Sequence, residues 1–100
     1  MTTRVLIVGF GSIGRQHLEF VRKRGYQEVI VCVHDEHKVE KIAEQYNVIC
    51  TSSIDDAILS KPEFAIVCNP TSKHIPTALK ILEAAIPVLL EKPVTNNFYD

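Results

Sequence analysis

Short apolar runs and longer amphipathic stretches alternate along the chain. The short runs are rich in Val, Ile and Cys, whereas apolar residues recur three or four positions apart in the longer stretches. This alternation predicts strands and amphipathic helices in a repeating βα order. The predicted strands are residues 4–8, 28–34, 47–50, 64–68 and 87–90, and the predicted helices are residues 12–24, 37–46, 54–60 and 75–85.

The strand-like runs are mostly continuous in hydrophobicity rather than alternating. Continuous runs are typical of parallel strands buried on both faces under helices. Because crossovers between parallel strands are right-handed, the simplest topology is a doubly wound α/β sheet with strand order 3-2-1-4-5 and helices on both faces. No linker and no repeat beyond the βα rhythm divides residues 1–100, so we expect one domain.

Several helix ends carry cap residues. Ser53 stands as an N-cap before the helix at 54–60, with Asp56 three residues on as its reciprocal partner. Gly25 follows the first helix, as expected of a C-terminal cap. Pro76 fits only the first turn of a helix, which predicts that the last helix begins at residue 75.

Composition and charge exclude several classes of protein. One hundred residues, 46% of them hydrophobic and 23% charged, suit one folded globular domain. Eleven basic and twelve acidic residues give a net charge of −1, so no overall field would attract nucleic acid or an anionic membrane. No apolar run approaches the ~20 residues of a membrane span or forms a signal peptide, so we expect neither membrane insertion nor export.

The cysteines indicate a reducing environment. Cys32, Cys50 and Cys68 lie far apart and form no CxxC pair that would suit a metal or redox site. Each lies within an apolar run, where a free cysteine packs as a small hydrophobic residue. We therefore expect buried, reduced thiols, no metal site and a cytoplasmic location.

A glycine-rich motif joins the first predicted strand to the first helix: Gly9-Phe10-Gly11-Ser12-Ile13-Gly14. In this GxGxxG pattern the first glycine permits a tight turn, the second lets the backbone touch a pyrophosphate, and the third lets the helix pack closely on the strand. Backbone N–H groups around Ser12 and Ile13, at the positive end of the helix dipole, would bind the phosphates. The alternative is a glycine-rich turn that binds no ligand.

The adenosine ribose of a dinucleotide would be recognised at the end of the second strand. Asp35 lies 21 residues beyond Gly14, the spacing expected of an acid that binds the ribose hydroxyls. Its carboxylate would repel a 2′-phosphate and so favours NAD, although His34, His37 and Lys38 would offset that charge and admit NADP. The alternative role of Asp35 is to cap the next helix.

A polar turn follows the fourth predicted strand, at the edge where parallel sheets bind ligands. Asn69, Pro70 and Thr71 would lie along the cofactor toward the nicotinamide. His74, at the start of the next helix, would reach a ribose or a phosphate. For His74 the alternative is an ordinary surface histidine.

A Glu-Lys-Pro sequence, Glu91 to Pro93, follows the fifth predicted strand at the same edge. A lysine there can hydrogen-bond a substrate hydroxyl and stabilise the negative charge that develops as hydride leaves the carbon. Considered apart from the other strand ends, Lys92 would be an ordinary exposed lysine.

Together these motifs resemble the nucleotide-binding domain of the Gfo/Idh/MocA oxidoreductases, the glucose-fructose oxidoreductase, inositol dehydrogenase and rhizopine catabolism group. The resemblance covers essentially the whole chain. Its motifs are GxGxxG followed by Arg15 and His17, an NPxxxH-like turn ending at His74, and EKP at 91–93.

The resemblance implies a Rossmann-type domain that binds NAD or NADP within an enzyme acting at a carbinol carbon of a sugar, cyclitol or similar small molecule. It gives Lys92 the position of the family's active-site lysine and adds Glu91 to the expected cofactor contacts. It further implies a C-terminal substrate domain, absent from residues 1–100, that supplies an acid/base histidine, and an intact protein that is a homo-oligomer.

Two positions depart from the family's pattern. Ala85 stands where the family has glycine at the end of the helix before EKP, so we expect the turn at 86–87 to replace a left-handed cap. Counting back from Ala43 places Val33 at the family's ribose position and Asp35 two residues later, which favours a role for His34.

Two other functions stay open from the sequence. A related domain can keep its nucleotide site without the chemistry, as a regulatory module that senses NAD(P). A methyltransferase would use the same glycine turn for S-adenosylmethionine, although EKP after the fifth strand suits a pyrophosphate ligand better.

Overall fold

A computed structural model of the chain describes residues 4–68 and 71–90, with the description of 71–75 confined to the backbone. None of the helices in these ranges is long and apolar enough to cross a membrane. A short 3₁₀ turn, Glu36–Lys38, precedes the second helix. The other elements, in chain order, are β1 (Arg4–Val8), α1 (Ser12–Lys23), β2 (Glu28–Cys32), α2 (Val39–Tyr46), β3 (Ile49–Thr51), α3 (Ile54–Leu59), β4 (Phe64–Val67), α4 (Thr71–Glu83) and β5 (Val88–Leu90).

The five strands form one parallel sheet in the order β3-β2-β1-β4-β5, which confirms the predicted topology. Their register brings the last residue of each strand into one row. Across the sheet that row is Thr51, Cys32, Val8, Val67 and Leu90. All the segments that follow the strands therefore leave the sheet at the same edge.

The central strand β1 divides the core between the two faces of the sheet. Leu6 and Val8 pack in the cluster that includes residues of α3 and α4. Val5 and Ile7 pack in the opposite cluster, against α1. These four side chains are 5% exposed or less. Burial on both faces explains why the run is continuously apolar, as the sequence predicted.

Most predicted elements differ from the observed ones by one or two residues at an end, and two of the wrong boundaries lie next to helix ends. β3 begins at Ile49 and not at Asn47, because Asn47 has a φ of 56° and caps α2, while the Val48 N–H donates to the Ala43 carbonyl. α4 begins at Thr71 and not at residue 75, so Pro76 lies inside the helix and leaves one intrahelical hydrogen bond unmade.

The predicted cap of α3 is half confirmed. The Ser53 hydroxyl accepts a hydrogen bond from the Asp56 N–H at 3.1 Å. The Ser53 N–H, however, donates to Thr51 Oγ1 at 3.1 Å and not to the Asp56 carboxylate. The reciprocal half of the predicted capping box was therefore wrong, because the hydroxyl at the end of β3 is the acceptor.

The helices α1 and α4 end in the same hydrogen-bonding motif. After α1, the Gly25 N–H donates to the Arg22 carbonyl and the Tyr26 N–H to the Val21 carbonyl. After α4, Ala85 and Ile86 make the equivalent pair of bonds, and Ala85 has a φ of 64°. The expectation that Ala85 would lose the left-handed cap was wrong, because two carbonyls at the helix end are satisfied only in this conformation.

We expect Ala85→Gly to raise the free energy of unfolding by about 0.5–1 kcal/mol, because a residue with a Cβ is strained at positive φ. Gly25→Ala is the matched reverse change, since Gly25 has a φ of 97° and no atom within 4 Å of an added Cβ. It should lower the free energy of unfolding by a similar amount in urea denaturation. Two shifts of the same sign would contradict the shared motif.

Candidate functional site

A groove of about 520 Å³ opens at the carboxyl edge of the sheet. It lies where the strand order reverses between β1 and β4, the position at which open α/β sheets bind ligands. The predicted cofactor residues that line it are Gly9, Phe10, Gly11, His34 and Asp35. The structure thus brings together the glycine turn and the end of β2, as the sequence predicted.

The turn between β1 and α1 is held by close backbone contacts. Gly9 has a φ of 89°, and its N–H donates to the Cys32 carbonyl at 2.8 Å. A Cβ added at Gly14 would lie only 2.5 Å from the Gly9 carbonyl oxygen. The first and third glycines of the motif therefore have the roles predicted for them, a tight turn and close packing of helix on strand.

Neither a tight turn nor close packing of helix on strand requires glycine at Gly11. Its φ is −90°, which any residue adopts, and an added Cβ would meet no described atom within 4 Å. The space beside it is the groove itself. A pyrophosphate that approaches the chain would require a bare backbone at this position.

The start of α1 has backbone donors next to Gly11, which lines the groove. The first bond of the helix runs from the Arg15 N–H to the Gly11 carbonyl, at 3.0 Å. The N–H groups of the preceding turn have no acceptor within the helix. The N-cap residue of α1 is Gly11, and no side-chain hydrogen bond caps the helix there. An anion at the positive end of the helix dipole would satisfy these donors, so the turn fits a diphosphate.

Three of the predicted cofactor residues, Ser12, Ile13 and Gly14, do not line this groove. Ser12 lies exposed at the start of α1, Gly14 is buried, and the Ile13 side chain lines a different groove. The ring of Phe10 packs edge-on against Tyr46, with ring centroids 4.9 Å apart. The side chain of Phe10 thus packs within the protein, and the binding of phosphates by backbone N–H groups stays a prediction.

Asp35 caps the 3₁₀ turn that follows β2. Its Oδ1 accepts a hydrogen bond from the His37 N–H at 2.9 Å. The alternative role that the sequence left open, that of a helix cap, is therefore confirmed. The side chain nevertheless lines the groove beside His34 and Lys38, all three of them exposed.

The groove also contains residues that sequence reasoning missed. Ser52 and Ile54 come from the segment after β3, and Thr77 comes from α4. The signal for Ser52 was present, because a polar residue after a parallel strand lies at the binding edge, but the predicted strand ended too early to show it. Nothing in the sequence pointed to Thr77, since its position depends on how α4 packs.

A second, largely apolar groove of about 640 Å³ lies on the α1 side of β4 and β5. Its lining includes Ile13, Phe20 and Leu89, and the last two are 53% exposed. The residues of the glycine turn other than Ile13 do not line it. We therefore assign the dinucleotide to the groove at the carboxyl edge.

Several predicted site residues lie outside the described residues: Asn69, Pro70, Glu91 and Lys92. For Thr71 and His74 the structure gives the backbone alone, and both belong to α4, as its first and fourth residues. Their roles stay predictions. Among the described residues, no group of three or more His, Cys, Asp or Glu side chains could hold a metal ion.

The three cysteines are thiols with different surroundings. Cys32 is buried at the end of β2, whereas Cys50 and Cys68 are half-buried, so the prediction of buried thiols is confirmed for Cys32 alone. Burial, with a smaller contribution from Cys50, raises the pKa of Cys32 to about 11 from an ordinary 9.0. Burial also raises the pKa of Cys50.

The sheet order, the glycine turn and the groove at the carboxyl edge define a dinucleotide-binding α/β domain. Residues 3–100 match the family model GFO_IDH_MocA, described as an oxidoreductase family with an NAD-binding Rossmann fold. The chain belongs to this family.

Known proteins resemble the chain over most of its length. It is 33% identical over 99 residues to the uncharacterized oxidoreductase YhhX of Escherichia coli, and this match covers 95% of the chain and 29% of YhhX. It is 29% identical over 96 residues to an inositol 2-dehydrogenase of Corynebacterium glutamicum, covering 92% and 28%. The crystal structure of GenD2 from gentamicin A biosynthesis in complex with NAD superposes with a TM-score of 0.80 at 28% identity, covering 93% and 27%. The chain thus spans less than a third of the length of these relatives.

Gly11, which precedes α1, and Gly14, within it, should respond differently to one added methyl group. Gly14→Ala should lower the free energy of unfolding by about 2 kcal/mol or more, because its Cβ overlaps a backbone carbonyl. Gly11→Ala should change it by less than about 1 kcal/mol yet weaken dinucleotide binding at least about tenfold. Urea denaturation and calorimetric titration measure the two effects. A Gly11→Ala variant that binds as the wild type does would contradict the role of Gly11.

The free energy of unfolding should fall at alkaline pH because of Cys32. The raised pKa means that folding favours the neutral thiol, so this stability is fully present below pH 9.0 and is lost as pH rises toward 11. The loss should reach about 2 kcal/mol. Urea denaturation between pH 8 and 11, compared with Cys32→Ala, measures it. The same pH dependence in both proteins would show that other groups cause the loss.

Proposed function

We propose that the chain forms the nucleotide-binding part of an oxidoreductase that transfers hydride between a nicotinamide cofactor and a carbinol carbon of a sugar, cyclitol or similar small molecule. The observation that carries the proposal is Gly11, whose missing side chain leaves room for a ligand, while neither its φ nor a contact with a described residue requires glycine there. Membership of an NAD-binding oxidoreductase family agrees with it.

The described residues would hold the cofactor by its phosphates and adenosine. The diphosphate would accept hydrogen bonds from the N–H groups at the start of α1, with Gly11 beside it. The adenosine ribose would lie between the glycine turn and the end of β2, near His34 and Asp35. This placement directs the nicotinamide toward the segments after β4 and β5, since the cofactor crosses the sheet at its switch point.

The chemistry itself would fall to groups that follow those two strands. Nicotinamide supplies the hydride acceptor or donor when the cofactor is bound. Lys92, two residues beyond the end of β5, would hydrogen-bond the substrate oxygen and stabilise charge as the carbon–hydrogen bond breaks. A further part of the protein would bind the substrate and supply the acid/base group, because this chain matches less than a third of the length of its relatives.

We expect the 100-residue chain to bind NAD or NADP in calorimetric titration, because the glycine turn and the end of β2 lie together in one groove. A Kd of about 1 mM or tighter is expected. Failure to bind either cofactor at that concentration would sink the proposal. Tight binding of S-adenosylmethionine instead would favour a methyltransferase.

Within the protein that contains the substrate-binding part, Lys92→Ala should abolish turnover and leave cofactor affinity within about twofold, because Lys92 acts on the substrate oxygen. Steady-state kinetics and cofactor titration measure the two quantities. Unchanged function of a Lys92→Ala protein would favour the alternative, a module that senses NAD(P) without catalysis. A cytoplasmic location and a homo-oligomeric state stay predictions.

A further inference from the structure

We propose that Lys38 determines cofactor specificity and that the groove takes a dinucleotide with a 2′-phosphate on the adenosine ribose at least as tightly as one without it. The inference rests on the proposed function, because it assigns a charge preference to one end of the same groove. It departs from the preference for NAD that the sequence favoured.

The charge that faces the ribose edge decides between the two cofactors. An acid at the end of the second strand accepts hydrogen bonds from the ribose hydroxyls and repels a phosphate. A cation at the same place attracts the phosphate. The side chains that line the groove after β2 ends at Cys32 would therefore set the preference between the two cofactors.

The position nearest the strand carries no charge. Val33 follows β2 directly, is 8% exposed, and packs in the cluster on the α1 side of the sheet. Its N–H donates to the Thr51 carbonyl at 3.0 Å, which continues the sheet pairing. The side chain of an apolar residue fixed in this way offers no acceptor to a ribose hydroxyl.

The carboxylate that follows is already engaged. Asp35 is the acidic residue that lines the groove among the described residues, and its Oδ1 accepts a hydrogen bond from the His37 N–H at 2.9 Å. This bond caps the 3₁₀ turn and holds the carboxylate toward the protein backbone. Asp35 is therefore poorly placed to bind two ribose hydroxyls, and its remaining effect on a phosphate is the repulsion of its charge.

Lys38 supplies the opposite charge at the same end of the groove. It lies exposed among the lining residues, and its N–H donates to the Asp35 carbonyl at 3.0 Å, which brings the two residues together across the turn. Within the described part of the chain, its ammonium makes no ion pair. His34 also lines the groove, and the acidic Glu36 does not line it. An ammonium with no ion pair among the described residues, in a groove that also contains a histidine, suits a phosphate dianion.

The test compares NADP⁺ and NAD⁺ affinities of the full 100-residue chain at low ionic strength. For the wild type, the Kd of NADP⁺ should be equal to or lower than that of NAD⁺. Lys38→Ala should raise the Kd of NADP⁺ about tenfold and that of NAD⁺ less than about twofold. Lys41→Ala is the matched control, because Lys41 is exposed on α2 and does not line the groove, and it should change neither value.

Two results would overturn the proposal. One is a wild type that binds NAD⁺ more tightly than NADP⁺, and the other is a Lys38→Ala variant that weakens both cofactors equally or neither. Binding of neither cofactor by the wild type would instead contradict the proposed function itself.

Asp35→Asn tests the same assignment from the side of the acid. Asparagine keeps the helix cap and removes the charge, so the fold should be unaffected. We expect unchanged NAD⁺ affinity and tighter NADP⁺ binding, by about threefold. A tenfold loss of NAD⁺ affinity would show that Asp35 binds the ribose hydroxyls, and it would overturn the role given to Lys38.

Discussion

The close approach of α1 to the tip of β1 is the constraint on which the groove depends. Gly14 brings the helix so near the Gly9 carbonyl that a single methyl group would overlap it. That contact aims the start of α1 at the space beyond the strand ends. The register of the sheet then places the other strand ends in the same row, so that backbone donors and polar side chains converge at one edge.

The two edges of the sheet differ in a way that fits this division of labour. At the amino edge, Arg4 donates to the Glu28 carboxylate at 2.8 Å and to the Ser60 carbonyl, which ties β1, β2 and the end of α3 together. Charges there are satisfied within the protein. At the carboxyl edge, the Lys38 ammonium has no ion pair among the described residues, and the N–H groups in the first turn of α1 have no acceptor within the helix. An anionic ligand would satisfy these groups.

Family membership and local detail separate at the end of β2. The glycine turn and the sheet order follow the family. The residue after the strand, however, is the apolar Val33, and the Asp35 carboxylate caps the following 3₁₀ turn. Likewise Ala85 keeps a left-handed cap that glycine would adopt without strain. The family's motif is therefore kept, while the residues that flank it form hydrogen bonds of their own.

The sequence by itself determined the sheet order, the two-sided core and the glycine turn, because hydrophobic periodicity shows which faces are buried and a glycine-rich turn between a strand and a helix is a local feature. It left the role of Asp35 open, began α4 four residues late and missed Thr77. Only the tertiary structure decided these points. Which acceptor a backbone N–H finds, and which helix residue reaches the groove, depend on packing between segments that are distant in sequence.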